Sequence, residues 1–183
     1  RVSDDGIGMS SRELDEAMRY GSRADYADNA LGHFGLGLKT ASLSQCRRLT
    51  VASRRGNSGR LAIRQWDLDE VLRRDSWDLR TISVPEAPHP LLSALPAPGG
   101  TVVLWETLDR LLPRKHTDGL VARVLNNRAD DVREHLEMVF HRFLDGEAYS
   151  HRSKLRITLN GTPLSAWDPF ARSEPLTRAL APQ

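Results

Sequence analysis

The stretch Gly32-His33-Phe34-Gly35-Leu36-Gly37-Leu38-Lys39-Thr40-Ala41-Ser42 constrains this chain more than any other part of it. Glycine lacks a Cβ and adopts positive φ, so glycines at this spacing expose consecutive backbone N–H groups to a close ligand. Leu38 to Gln45 holds no Gly or Pro and reads as a helix. The loop therefore delivers what it binds to a helix N-terminus, where unpaired donors and the helix dipole favour an anion, phosphate foremost. A Walker loop fails here, because Leu38 stands where the motif needs Lys. A Rossmann loop fails as well, because the residue three beyond Gly37 is Thr40. A plain glycine-rich turn ahead of a helix is the competing reading.

A second motif bears on that choice. Asp4-Asp5-Gly6-Ile7-Gly8-Met9 is D-x-G-x-G-M. An EF-hand would put Arg1 where the first carboxylate belongs. A carboxylate at a strand end can instead accept a hydrogen bond from an exocyclic amine at the floor of a pocket. The glycines let a flat ring approach the backbone, and Met9 can adapt to its face. One motif thus suits a base, the other a phosphate chain.

With both motifs in order, the chain resembles the GHKL ATPases, the superfamily of Hsp90, type II topoisomerases, MutL and the histidine kinases. D-x-G-x-G-M followed by G-x-F-G-x-G-L-K-x-A-S looks most like the MORC branch and its bacterial relatives. Gly100-Thr101-Val102-Val103-Leu104 matches a third element, the G-T strand whose Thr supports adenine through water. Asn160-Gly161 and Asp168-Pro169-Phe170 resemble MORC-type sequences after their last long helix. The resemblance implies that Asp4 binds the adenine amino group, that Gly6 and Gly8 shape the base pocket, and that Gly32, Gly35 and Gly37 wrap the phosphates. The implied ATP-binding set is Asp4, Gly6, Gly8, Met9, Gly32, Phe34, Gly35, Leu36, Gly37, Lys39 and Thr101.

In those families a helix upstream of D-x-G-x-G carries a Glu, the general base, and an Asn that holds magnesium. This sequence starts at Arg1, directly before the motif. The expectation is accordingly a fragment lacking that helix, with no catalytic residue and no metal ligand assigned within it. The implied activity of the full-length protein is ATP hydrolysis with Mg2+, coupled to closure of a lid over residues 10–31 and to ATP-dependent homodimerisation. A DNA or protein client is the further partner implied. An ATP domain of a histidine kinase is the runner-up, and a non-catalytic adenine-nucleotide sensor is the alternative from another class.

At 183 residues the chain suits one domain with a sizeable core. The net charge of +2 names no strongly charged partner. Arg47, Arg48, Arg54 and Arg55 flank one predicted strand, and Arg60, Arg64, Arg73 and Arg74 follow among acids, which reads as a solvated face. The one cysteine, Cys46, cannot form an internal disulfide and reads as a buried packing thiol, which suits a reducing, cytoplasmic setting. No apolar run approaches the roughly 20 residues of a membrane span.

Ser10 or Ser11 caps a helix that Gly21 ends. Leu49–Ser53 and Leu61–Trp66 read as a hairpin, the second strand half-buried. Residues 85–100, with five prolines, read as a surface connection. Thr101–Glu106 is an interior strand, and helices are expected over Leu120–Asn126 and Asp130–Leu144. The latter presents Val132, Leu136, Val139, Phe140 and Phe143 as a core face. Asn160-Gly161 signals a closing hairpin. The sum is an α+β two-layer sandwich, a mixed, mostly antiparallel sheet with helices on one face.

Overall fold

The computed structural model describes residues 1–21, 35–57, 59–112, 117–148 and 154–178. The chain gathers into two compact units, Arg1–Lys115 and His116–Gln183. No helix among the described residues is long and apolar enough to cross a membrane.

The first unit is built on five strands: β1 (Val2–Asp4), β2 (Arg48–Arg54), β3 (Ala62–Asp67), β4 (Arg80–Thr81) and β5 (Gly100–Glu106), in the order β1-β5-β2-β3-β4. Every neighbouring pair is antiparallel, and β2–β3 is the hairpin that the alternation suggested. Together with its helices this is the expected α+β, mostly antiparallel architecture.

Helices α1 (Ser11–Met18) and α2 (Gly37–Leu43) lie on one face of the sheet. Their core joins Leu14 and Met18 to Leu49, Val51, Ala62 and Trp66, all at most 6% exposed. Ser10 is the residue that caps α1: its Oγ accepts the Glu13 N–H at 3.3 Å while the Glu13 carboxylate accepts the Ser10 N–H at 2.7 Å. Helix α3 (Leu68–Arg74) follows β3 directly, capped by Asp67.

The opposite face is covered by the proline-rich stretch, which is more than a surface connection. It carries a 3-10 turn at Val84–Glu86 and the short helix α4 (His89–Leu92), whose Leu91 is fully buried against Ala52, Ile63 and Val102. With both faces covered, β3 is buried along its whole length and not half-buried as its alternation implied. Its polar residues are satisfied inside: Gln65 Nε2 donates to Thr50 Oγ1 at 2.9 Å, and Arg64 bonds to Asp15 and Ser11 of α1. Arg64 therefore leaves the solvated face to which the sequence reading assigned it.

In the second unit one helix, α5 (Asp118–Val139), replaces the two expected, and after a break at Phe140 comes α6 (His141–Leu144). The anticipated core face of α5 is not buried: no residue of α5 is, and Val132 and Val139 stay 44% and 49% exposed. Within its own unit the helix has beside it the single turn of α6 and the coil at Trp167, whose N–H donates to Glu137 O at 3.1 Å. The closing hairpin, β6 (Thr158–Leu159) with β7 (Thr162–Pro163), turns at Asn160 (φ 52°) and Gly161 (φ 82°), the left-handed pair that Asn-Gly favours.

Candidate functional site

Strand β1 ends on Asp4, and register sets what Asp4 faces. Asp4 pairs with Thr101 of β5, and Thr101 pairs in turn with Ser53 of β2. Directly opposed residues project to the same side of a sheet. Asp4, Thr101 and Ser53 thus form a row across three strands, on the face that carries α1 and α2. Ser53 is fully buried and Thr101 nearly so. The Ser53 Oγ accepts the Met9 N–H at 2.8 Å and lies 3.1 Å from Gly100 O and 3.0 Å from Thr101 Oγ1.

Two glycines of the first motif fold the chain back over this row. The Gly6 N–H donates to Asp4 Oδ1 at 3.0 Å, and a Cβ on Gly6 would stand 2.8 Å from that oxygen. Gly8 has φ +67°, and a Cβ there would fall 1.9 Å from Arg54 O. Only glycine fits such a crossing. Met9 packs against the helix-side core, so its backbone, more than its thioether, shapes the row.

The second motif sits on the same face. Gly35 carries the left-handed φ of +60°, Leu36 is 41% exposed, and Gly37 opens α2 with helical backbone and open space around it. The left-handed turn is at Gly35, and Gly37 takes helical backbone, although the sequence reading treated these glycines alike. Trp105 Nε1, on the same side of β5 as Thr101, donates to Ser42 Oγ at 2.9 Å and anchors α2 to the sheet. Lys39 points inward: 1% exposed, its Nζ donates to Ala17 O at 2.8 Å and to Gly35 O. Burial holds its pKa below the ordinary lysine value, opposed by the charge of Glu16. The ammonium thus ties the loop's turn to the end of α1. Gly32 and Phe34, and residues 22–31 of the expected lid, lie outside the described residues.

Ser53 was not legible as a site residue, since a serine in a β-rich run carries no signal of its own. Arg64 was missed for the opposite reason, because a charged side chain in an alternating strand reads as solvent-facing. A cavity of about 1110 Å³ lies elsewhere, lined by Arg12, Arg19, Tyr20, Trp66, Trp77 and Leu79. It contains none of the expected nucleotide ligands, and β3 stands at the far side of the sheet from β1. Among the described residues no group of three or more His, Cys, Asp or Glu gathers to hold a metal ion.

A carboxylate, a hydroxyl and tightly crossed glycines at the end of an antiparallel sheet, beside a glycine turn leading into a helix, form a floor suited to a polar planar ring. No curated protein matches the chain. A protein-family model described as histidine kinase-, DNA gyrase B-, and HSP90-like ATPase matches residues 1–94, just over half of the 183. The matched span contains Asp4, both glycine motifs and Ser53, and the chain belongs to this family of histidine kinase-, DNA gyrase B- and HSP90-like ATPases.

Proposed function

We propose that this chain binds the adenine ring of ATP at the row Asp4–Thr101–Ser53 and its phosphates at the turn Gly35-Leu36-Gly37, as a MORC-like ATPase domain. The observation that carries the reading is the register match of Asp4 with Thr101 on the helix-bearing face. Asp4 Oδ1 is held by the Gly6 N–H, and among the described residues nothing else bonds the carboxylate, which leaves Oδ2 for an exocyclic amine. Gly32, Phe34 and Met9 complete the proposed site, and Lys39 positions the turn without touching phosphate. Lys39-Thr40-Ala41-Ser42 after the last glycine supports the MORC-like form over a kinase.

Mg2+ bound with the nucleotide would offset phosphate charge in phosphoryl transfer, and no described residue is assigned to hold it. In the full-length protein, ATP binding and hydrolysis drive closure of the segment within residues 10–31 and pairing of two copies, a two-state element biased by the nucleotide. Calorimetry with ATP and GTP tests the base site. Asp4→Asn loses a charge-assisted bond, about 1.5–3 kcal/mol or ten- to hundredfold in affinity, with the fold intact. GTP presents a carbonyl to the carboxylate and binds far more weakly than ATP. Equal affinity of the parent chain for the two nucleotides would sink the assignment.

A further inference from the structure

Ser53 is the fully buried end of the row, and its hydrogen bonds fix what Thr101 can do. A serine hydroxyl offers one proton and two lone pairs. Three groups surround the Ser53 Oγ: the Met9 N–H at 2.8 Å, the Gly100 carbonyl at 3.1 Å and the Thr101 hydroxyl at 3.0 Å. The amide can only donate and the carbonyl can only accept. If Ser53 gave its proton to Thr101, its oxygen would face the Gly100 oxygen with no hydrogen between them, in a fully buried position. Buried polar groups are satisfied wherever geometry permits. The one arrangement that fills all three contacts sends the Ser53 proton to Gly100 O and makes Thr101 the donor to Ser53.

Thr101 then has no proton left. Its Oγ1 keeps only lone pairs for the side that faces Asp4, and Asp4 is itself an acceptor when ionised. We infer that Ser53 is a positioning residue that makes Thr101 an obligate acceptor, so that the floor of the base site presents acceptors only and selects a ring edge bearing an amine over one bearing a carbonyl. The inference rests on the nucleotide reading above and adds the source of its selectivity. The two N–H groups of an exocyclic amine such as adenine's, met directly or through a water, can satisfy both Asp4 and Thr101. A carbonyl in that place meets lone pairs on both.

Removing the Ser53 hydroxyl frees the Thr101 proton to turn toward the ligand, where it can serve a carbonyl. Selectivity, and not only affinity, is therefore the quantity that moves. The experiment measures Kd for ATP and for GTP by calorimetry on the whole chain, for the parent, Ser53→Ala and Ser53→Cys. The thiol of the second variant fills the hydroxyl's space but is a poor donor and acceptor, so it keeps the packing if the alanine form fails to fold. The ATP-over-GTP ratio is expected to fall roughly three- to tenfold in either variant, the worth of about one neutral hydrogen bond. A role confined to packing would weaken both nucleotides alike, and an unchanged ratio in the folded variants overturns the inference while leaving the nucleotide reading in place. A parent chain that binds neither nucleotide overturns both.

Discussion

A methyl group added at Gly8 and one added at Gly37 ask different questions of the same site. At Gly8 the new carbon would meet Arg54 O at 1.9 Å with φ at +67°, so Gly8→Ala is expected to cost on the order of 1–3 kcal/mol or more in urea unfolding, with or without ligand. At Gly37 it would enter open space on helical backbone, and Gly37→Ala is expected to hold or raise stability by about 0.4–1 kcal/mol. Any loss of ATP affinity in the second variant then reports the phosphates themselves, and equal stability losses in both would refute the distinction. Cys46 supplies a pH signature. Burial pushes its thiol from 9.0 up to about 11, so the folded chain keeps a proton that the unfolded chain releases. That contribution is intact below pH 9.0 and is lost as pH rises toward about 11. Lys39 acts the other way, because its lowered pKa means that unfolding takes up a proton and stability rises toward the ordinary lysine range. Comparing stability against pH for the parent and Cys46→Ala isolates the thiol: the variant should fall less steeply between pH 9.0 and about 11.

Among the elements, α1 is held to the sheet by a charge as well as by its apolar side. Arg64 is 7% exposed, and Asp15 Oδ1 accepts from its Nε at 2.5 Å while Ser11 Oγ takes Nη2 at 2.6 Å. Asp15→Ala leaves that guanidinium buried and short of a partner, at a cost of about 1–3 kcal/mol, toward the lower end because Asp15 is itself half exposed. Adding Arg64→Met to the same chain should recover most of the loss, since an apolar pair in that space carries no desolvation penalty. Urea titrations of the single and double variants decide it, and an Asp15→Ala chain as stable as the parent would reduce the pair to decoration. The same strand shows what sequence could and could not tell. The β2–β3 hairpin and the Asn160-Gly161 turn were readable because local chemistry determines both. The burial of Arg64 and Gln65 was not, because it depends on Asp15, Ser11 and Thr50, which lie 15 to 53 residues away in the chain. Leu91 was hidden for a related reason: proline content describes the backbone of residues 85–100 but not the face on which its one helix turn lands.

At the scale of the molecule, the first unit keeps its apolar side chains between two covered faces, whereas α5 buries none of its own. Hydrogen exchange should therefore rank the amides of β2, β3 and β5 slowest and those of α5 fastest among the long elements, since few buried contacts stand behind each helical bond. Protection of α5 equal to that of β2 would contradict this. The proposed base site was legible as a pair of motifs, but its construction as a row was not, because strand register is absent from any window of sequence. That register has a mechanical side. β1 is an outer strand held by three residue pairs, and a slip by one residue would turn Asp4 to the other face. Gly100, at φ +143° with room for no side-chain carbon beside Asp4 O, lets the two backbones seat at that one notch. A molecule that bridges Asp4 and Thr101 consequently lies across the outermost seam of the sheet like a rivet. Peeling β1 away under load would have to shear that rivet first, so the grip of the domain on its outer strand tightens when the site is filled.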